Sequence, residues 1–293
     1  MTKPSSILTA ALTSCVVLFA CNIRLFGQTV ETSDRLLDFR QHQERVESGA
    51  LAKRRMRSSA LSTDFETRLE SFEIHRRMRE ATPHKSLPWH FLGPDNVSGR
   101  VTDLAVPTPR GGTYTIYAAT ATGGVWRTRN EGTTWEPIFD REASVSIGDL
   151  ALDPKDPNVL WVGTGEANIF RSSTAGCGIY KTEDGGQTWQ HRGLAATHTI
   201  ARIVVDPRDS NTLYVAAGGH EWTDNVERGV YKTTDGGESW RKVLFVNDRT
   251  GAVDLVINPE NPDVLYAATW QRIRQLWNDP RGVAGDPENG VWK

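Results

Sequence analysis

The segment Gly178–Trp189 reads GIYKTEDGGQTW, and a similar segment lies on either side of it in the sequence. Gly124–Trp135 reads GVWRTRNEGTTW, and Gly229–Trp240 reads GVYKTTDGGESW. The closing tryptophans are 54 and then 51 positions apart. A motif that returns at a spacing of about 50 residues indicates that one structural unit is repeated along the chain.

A second motif alternates with the first along the chain. It is an apolar run that ends in Asp-Pro or Asn-Pro, followed after a short turn by another apolar run. Its copies are residues 148–154 with 159–163, 201–207 with 212–216, and 253–259 with 264–268. Together the motifs divide residues 89–293 into four units, and we expect the sequence to be truncated within the fourth.

Each unit is predicted to contain four strands, named A to D, because its apolar runs are rich in Val, Ile, Leu, Tyr and Trp and are bounded by Pro, Asp, Asn and Gly. In the second unit the strands are Ile147–Leu152, Leu160–Thr164, Gly178–Thr182 and Thr188–Arg192. One antiparallel meander does not bury both faces, so the units must stack. The predicted fold class is all-β, an incomplete β-propeller of four-stranded antiparallel blades. A β-solenoid or a sandwich is the alternative.

Composition sets the limits of the repeated domain and excludes some partners. The 34 Lys and Arg against 36 Asp and Glu give a net charge of −2, which does not favour nucleic acid or an anionic membrane as a partner. Three cysteines exclude a disulfide scaffold. All ten tryptophans lie at or beyond Trp89, and 24 of the 26 glycines at or beyond Gly93. The repeated domain therefore begins near residue 88.

The first motif resembles the Asp-box, or BNR repeat, of sialidases, sortilin or Vps10-type propellers, xyloglucanases and many exported bacterial proteins. The resemblance implies that the box is a structural hairpin at the blade periphery, in which the acidic residue braces the turn and the tryptophan packs between blades. In this chain those residues are Asn130, Trp135, Asp184, Trp189, Asp235 and Trp240. The first box departs from the pattern by holding Asn130 in place of Asp, which still accepts a hydrogen bond. Catalysis by these residues is not expected.

The enzymes with this repeat carry further motifs that the chain lacks. Xyloglucanase-type propellers have a catalytic Asp just before a Gly-Gly pair in the first blade, whereas Ala119–Gly124 reads ATATGG. Sialidases present an Arg-Ile-Pro motif near the start of the propeller, whereas Gly99–Thr102 reads GRVT. The resemblance is therefore to a glycosyl hydrolase-like protein without a recognisable catalytic motif.

Residues 1–28 are predicted to be a signal peptide. Lys3 supplies the positive charge and Ile7–Ala20 the apolar run, which is too short to span a membrane. Cys21 is a candidate for lipidation because LFAC resembles a lipobox, although Ala20 or Gly27 would also suit an ordinary signal peptidase. The protein is thus expected to be exported to the periplasm, the outer membrane or the outside of the cell, with no transmembrane span after signal removal.

Residues 29–88 are predicted to form a helical charged spacer. Residues 31–81 carry 11 basic and 10 acidic residues, and apolar residues recur near helical spacing. Two amphipathic helices with a break around residues 58–63, or a disordered segment, fit this pattern. Residues 89–293 then form the partial propeller.

Meander topology places the A–B and C–D turns on one face of the blades and the B–C loops and D–A connectors on the other. The B–C loops are long and irregular, and such loops on a repetitive scaffold usually carry function. Their ligand-binding candidates, with one from a connector, are Asn168, Arg171, His198, His220, Trp222, Arg228, Arg272 and Arg274. Tryptophan offers a stacking plane and arginine a bidentate donor, which suits a glycan or a peptide with an acidic group.

The leading hypothesis is an exported propeller that acts as a protein- or glycan-binding or scaffold module. The alternative is a glycoside hydrolase of sialidase or xyloglucanase architecture whose site is completed by sequence beyond residue 293, with Glu166, Glu221 and Asp224 as weak catalytic candidates. Assembly assistance for a membrane complex is a third possibility. The sequence leans against an enzyme. No cofactor is expected, and His198, His220 and Glu221 do not form a recognised metal-ligand set.

Overall fold

The computed structural model describes residues 64–87, 99–109, 111–168, 173–273 and 289–293. The predicted signal peptide with Cys21 and the first predicted helix of the spacer lie outside these residues, as do Arg171 and Arg274. Export, lipidation and the domain boundaries therefore remain predictions. Within the described part of the chain, no helix is long and apolar enough to span a membrane.

The described strands form consecutive antiparallel meanders in the predicted A-to-D order. The first sheet consists of β1 (Val101–Ala105), β2 (Ile116–Thr120), β3 (Val125–Thr128) and β4 (Glu136–Pro137). The second consists of β5 (Ile147–Leu152), β6 (Leu160–Thr164), β7 (Ile179–Thr182) and β8 (Gln190–His191). The third consists of β9 (Ile200–Asp206), β10 (Asp209–Ala217), β11 (Gly229–Thr233) and β12 (Arg241–Leu244). The fourth has three described strands, β13 (Thr250–Ile257), β14 (Leu265–Gln271) and β15 (Gly290–Trp292).

The first strands of successive sheets lie next to one another. The Asp103 carboxylate on β1 accepts the backbone N–H of Leu150 on β5 at 3.2 Å. The Asp149 carboxylate on β5 accepts the N–H of Ile203 on β9 at 2.6 Å. A side-by-side series of meanders whose first strands adjoin is the blade arrangement of a β-propeller, so the predicted fold class is confirmed.

Each pair of neighbouring sheets encloses its own hydrophobic core. Phe139 and Val125 of the first blade pack with Leu160 and Val162 of the second. The second core joins residues of the second and third sheets around Trp161, Ile200, Leu213 and Tyr231. The third joins the third and fourth sheets around Tyr214, Val230, Leu255 and Ala267. Burying one such large apolar side chain contributes about 1.5–3 kcal/mol, so the seams between blades supply much of the stability.

In the second blade the predicted bounds of strands A and B match the observed ones, strand C begins one residue later at Ile179, and strand D is Gln190–His191 rather than Thr188–Arg192. Both the backbone N–H and the hydroxyl of Thr188 donate to the Asp184 carboxylate, at 2.9 and 2.6 Å. These bonds hold the pKa of Asp184 well below its usual range. Thr188 therefore belongs to the turn, and the strand is shortened to two residues.

The turn tryptophans reach across to the preceding blade. The indole N–H of Trp189 donates to the Ile138 carbonyl at 2.7 Å, and that of Trp240 donates to the Arg192 carbonyl at 2.6 Å. Trp189 also meets the Phe139 ring edge-on, with 4.8 Å between centroids. Asp235 accepts the N–H and the hydroxyl of Ser239, as Asp184 does for Thr188.

The turn of the first blade uses a weaker acceptor and a strained residue. The Asn130 side-chain oxygen accepts the N–H of Thr134 at 2.9 Å. Glu131 has φ 56°, a left-handed conformation that Gly185 supplies in the second blade with φ 69°. Trp135, at the end of this turn, is 41% exposed.

Helix α1 (Phe65–Ala81) precedes the blades and is capped by Asp64, whose carboxylate accepts the N–H of Thr67 at 2.8 Å. Its side chains are half-buried or exposed, with none fully buried. Arg68 Nη1 donates to the Gly176 carbonyl in the B–C loop of the second blade at 2.6 Å. The helix therefore contacts the surface formed by the B–C loops and D–A connectors, hereafter the loop face.

Candidate functional site

Two cavities open on the loop face. The first has a volume of about 280 Å³ and is lined by α1, by the B–C loops of the second and third blades, and by the connector between them. Its lining residues are Arg68, Ser173, Thr174, Ala175, His198, Thr199, His220, Glu221, Trp222 and Thr223. The second, of about 500 Å³, lies where the first strands of the blades meet. It is lined by Thr102, Gly148, Asp149, Ala167, Asn168, Ala201, Arg202, Val253, Asp254, Trp270 and Arg272.

A stacked histidine pair forms one wall of the first cavity. The His198 and His220 rings are 3.6 Å apart at 13°. His220 Nε2 lies 3.1 Å from the Ala196 carbonyl, so this nitrogen carries the proton, and Nδ1 accepts the Thr223 hydroxyl at 3.0 Å. Burial lowers the pKa of His220, and burial with the neighbouring ring and Arg68 lowers the pKa of His198 to about 3. Both imidazoles are therefore neutral at neutral pH.

A buried ion pair separates the two cavities. Arg272 Nη2 lies 3.0 Å from Glu221 Oε1, with side chains 1% and 7% exposed. Arg272 Nη1 also donates to the Ala167 carbonyl. Because Glu221 lines the first cavity and Arg272 the second, this pair is a shared wall and the cavities are neighbours.

The second cavity is organised around Arg202. Its Nη1 lies 2.9 Å from Asp149 Oδ1 and its Nε 3.1 Å from Asp254 Oδ1. Burial raises the pKa of Asp149 to about 8, with Arg202 opposing the shift and Asp103 adding to it. A group bound to both a guanidinium and the Ile203 N–H is held rigidly, which indicates that Asp149 positions the blades.

The remaining predicted residues lie apart from the cavities or behind their walls. Glu166 is fully buried and accepts Arg100 Nε and Nη2 at 2.7 and 2.6 Å. Asp224 is exposed, 3.5 Å from Arg249. Arg228 is fully buried and donates to the carbonyls of residues 218, 220 and 223, so it fixes the loop that carries His220 and Trp222.

The structure thus brings His198, His220, Glu221 and Trp222 together at the first cavity, and Asn168 and Arg272 at the second. The sequence analysis missed Arg68, Asp149, Arg202, Asp254 and Trp270. Three of these could have been found from the sequence, because Asp149, Arg202 and Asp254 each stand at the second position of the recurring first-strand motif. No periodicity distinguished Arg68 from the other basic residues of the spacer.

The described residues contain no group of three or more His, Cys, Asp or Glu side chains arranged to hold a metal ion. Cys177 is a free, buried thiol behind the first cavity's loop, and burial raises the pKa of that thiol.

Part of the chain is similar in sequence to known glycoside hydrolases. No protein-family model matches the sequence. A xyloglucanase of Paenibacillus sp is 29% identical over 153 residues, which is 47% of this chain and 14% of the relative. An oligoxyloglucan-reducing end-specific xyloglucanase of Emericella nidulans is 34% identical over 99 residues, which is 32% of this chain and 10% of the relative. The chain thus spans a small part of the length of these relatives.

Among solved structures, the GH74 enzyme of Niastella koreensis aligns with 22% identity and a TM-score of 0.44, over 58% of this chain and 26% of that one. The sequence matches support the alternative of a glycoside hydrolase-like protein better than the binding or scaffold module that led the sequence analysis. They give no support for leaning against an enzyme. The chain is, in part, similar to glycoside hydrolases and is folded as propeller blades.

Proposed function

We propose that this chain is part of a glycoside hydrolase-like protein and binds a polysaccharide of the xyloglucan type across its loop face. The observation that carries the proposal is the 153-residue match to a relative named xyloglucanase. The activity of the whole protein is proposed with it, since the chain covers 14% of that relative.

The two neighbouring cavities support an extended ligand. They share the Glu221–Arg272 wall, and each has a tryptophan in its lining, Trp222 in the first and Trp270 in the second. An indole presents a flat apolar surface to a sugar ring while leaving its N–H for hydrogen bonding. Two such surfaces on one face suit a chain of linked sugars.

Binding without hydrolysis is the second candidate, and a specific observation favours it. Hydrolysis of a glycoside needs an acid and a base or nucleophile, in practice two carboxyl groups flanking the bond. Glu221 is bound to Arg272, and Asp149 and Asp254 are both bound to Arg202. An oxygen of each of these carboxylates is held by a guanidinium of the protein, so that oxygen is directed to the guanidinium rather than to a bound glycoside.

The test uses the 293-residue chain with xyloglucan and measures binding by affinity electrophoresis and cleavage by release of reducing ends. We expect retardation in the gel. Trp222→Ala and Trp270→Ala should each weaken binding about two- to twelvefold, because an aromatic contact contributes ~0.5–1.5 kcal/mol. Trp135→Ala is the matched control, because Trp135 is 41% exposed and ends the C–D turn of the first blade, on the opposite side from the loop face. It should leave the binding affinity unchanged.

Release of reducing ends, abolished by Glu221→Gln, would establish the hydrolase. Retardation without product would establish the binding module. A chain that neither binds nor cleaves xyloglucan would contradict the proposal.

A further inference from the structure

One wall of the first cavity carries a cationic side chain that does not come from the repeated blades. Arg68 of α1 lines the cavity and uses Nη1 to bind the Gly176 carbonyl. Its Nε and Nη2 atoms are buried and have no hydrogen-bond partner. Leaving buried donors unsatisfied costs free energy, so the arrangement indicates an acceptor that the protein itself does not supply.

The unpartnered atoms are the pair that binds a carboxylate side-on. Elsewhere in the chain, Arg100 offers the same two atoms, Nε and Nη2, to the two oxygens of Glu166 at 2.7 and 2.6 Å. Arg208 uses the same edge on Asp206, at 3.0 and 2.8 Å. Bidentate pairing of this kind combines charge with a fixed geometry. At Arg68 the same edge, formed by Nε and Nη2, has no carboxylate bound to it.

The charges around the cavity favour an anion. Arg228 donates to the carbonyls of His220 and Thr223 in the cavity wall, and it remains a cation although burial lowers its pKa to about 10. Arg272 offsets Glu221, the acidic group in the lining. Arg68 thus adds a cation beside neutral imidazoles, whereas the charge of Arg228 is offset in part by Asp224 and Asp248.

The size and the remaining walls suit one sugar ring. The volume of about 280 Å³ is near the lower end of ligand pockets, ~300–1,000 Å³. The side chain of Trp222 is 53% exposed at the rim and offers an aromatic plane. The Thr199 and Thr223 hydroxyls donate to the Gly219 carbonyl and to His220 Nδ1, so their oxygens remain as acceptors for sugar hydroxyls.

We propose that the first cavity binds a uronic acid unit of a glycan, with its carboxylate held side-on by Arg68 and its ring next to Trp222. The inference rests on the proposed function in taking a glycan as the ligand. It adds that the protein distinguishes acidic from neutral sugars, and it assigns that selection to a residue outside the blades.

The test measures binding of sodium glucuronate and of glucose to the full chain by calorimetry or ligand-observed NMR. We expect glucuronate to bind and glucose to bind at least about tenfold more weakly, because a hydrogen bond to a charged group is worth more than one to a neutral group. Arg68→Gln should reduce glucuronate affinity about tenfold or more and leave glucose binding unchanged. Arg68→Lys keeps the charge but loses the side-on pair, so it should show an intermediate loss.

Arg76→Gln is the matched control, because Arg76 lies on the same helix and is paired with Glu73 and Glu80 away from the cavity. Thermal unfolding of each variant checks its fold, and if Arg68→Gln does not fold, Arg68→Lys and Trp222→Ala carry the test. Equal affinity for glucuronate and glucose, or glucuronate binding that Arg68→Gln and Arg68→Lys leave unchanged, would overturn the inference.

Two further arms separate this inference from the proposed function. Xyloglucan binding that survives Arg68→Gln, with no glucuronate binding in the parent chain, overturns the inference alone. Glucuronate binding without xyloglucan binding overturns the xyloglucan proposal alone. An oligoglutamate peptide that binds through Arg68 while glucuronate does not would assign the cavity to a peptide and overturn the glycan inference.

Discussion

The C–D turns and the loop face satisfy their polar groups over very different distances in sequence. At the turns, Asp184 and Asp235 accept hydrogen bonds from residues no more than four positions away. On the loop face, Glu221 pairs with Arg272, 51 positions away, and Arg68 binds the carbonyl of Gly176, 108 positions away. The turns are thus specified locally, whereas the loop face exists only once the blades are assembled.

The largest expected effect comes from breaking the wall between the cavities. Arg272→Leu leaves the Glu221 carboxylate buried without its guanidinium, and removing one partner of a buried ion pair costs ~3–5 kcal/mol. Urea unfolding of the parent and the variant measures the difference. The double variant Glu221→Leu with Arg272→Leu should recover most of the loss.

Arg249→Gln serves as the control for that experiment. Arg249 lies 3.5 Å from Asp224 on the surface, where such a pair is worth ~1 kcal/mol or less. If Arg272→Leu and Arg249→Gln destabilised the chain equally, the contrast between a buried loop face and an exposed surface would fail.

A smaller effect is expected from pH, through the histidine stack. The folded-state pKa of His198 is lowered to about 3, whereas an unfolded histidine titrates near ~6.5. Above that value both states are neutral. Below it the unfolded state takes up a proton that the folded state refuses, so stability decreases as the pH falls from ~6.5 towards 3.

His198→Gln removes this proton uptake. The free energy of unfolding of the parent, measured from pH 8 to pH 4, should therefore fall relative to that of His198→Gln as the pH decreases. Because groups away from the stack titrate alike in both chains, the difference isolates the stack. Parallel curves would show that the stack is not desolvated in solution.

The smallest effect is expected at the first turn. Glu131 has φ 56° where the second and third blades have Gly185 and Gly236 with φ 69° and 70°. Glu131→Gly should raise the free energy of unfolding by up to ~1 kcal/mol, since relief of the left-handed strain is partly offset by glycine's greater freedom in the unfolded chain.

Gly185→Ala is the matched experiment and should destabilise the chain by ~1–2 kcal/mol, because an added Cβ meets its nearest neighbour at 3.5 Å and strain alone remains. Thermal unfolding of both variants gives the comparison. A destabilising Glu131→Gly would mean that the first turn differs from the others in more than its residues.

These contrasts explain what the sequence was able to predict. The strands Ile147–Leu152 and Leu160–Thr164 were placed at their observed bounds because strand and turn patterns act within a few residues. The shortened strand after Asp184 was missed, since a propensity pattern does not show that the Thr188 backbone is committed to the turn.

The candidate site was predictable only in part. Loop length and residue type led to His198, His220 and Trp222, which meet at one cavity. The pairing of Glu221 with Arg272 and the position of Arg68 depend on how blades and helix pack, and a single sequence carries no local sign of such contacts.

The ion pair between the cavities has one more consequence. Glu221 lines the first cavity and Arg272 the second. A ligand that binds Glu221 in the first cavity therefore weakens the ion pair that holds Arg272 at the second. We therefore expect occupation of either compartment to alter affinity in its neighbour, and thermodynamic linkage requires the two influences to be equal in size. Two adjoining subsites would then respond to a polymer as a single cooperative surface.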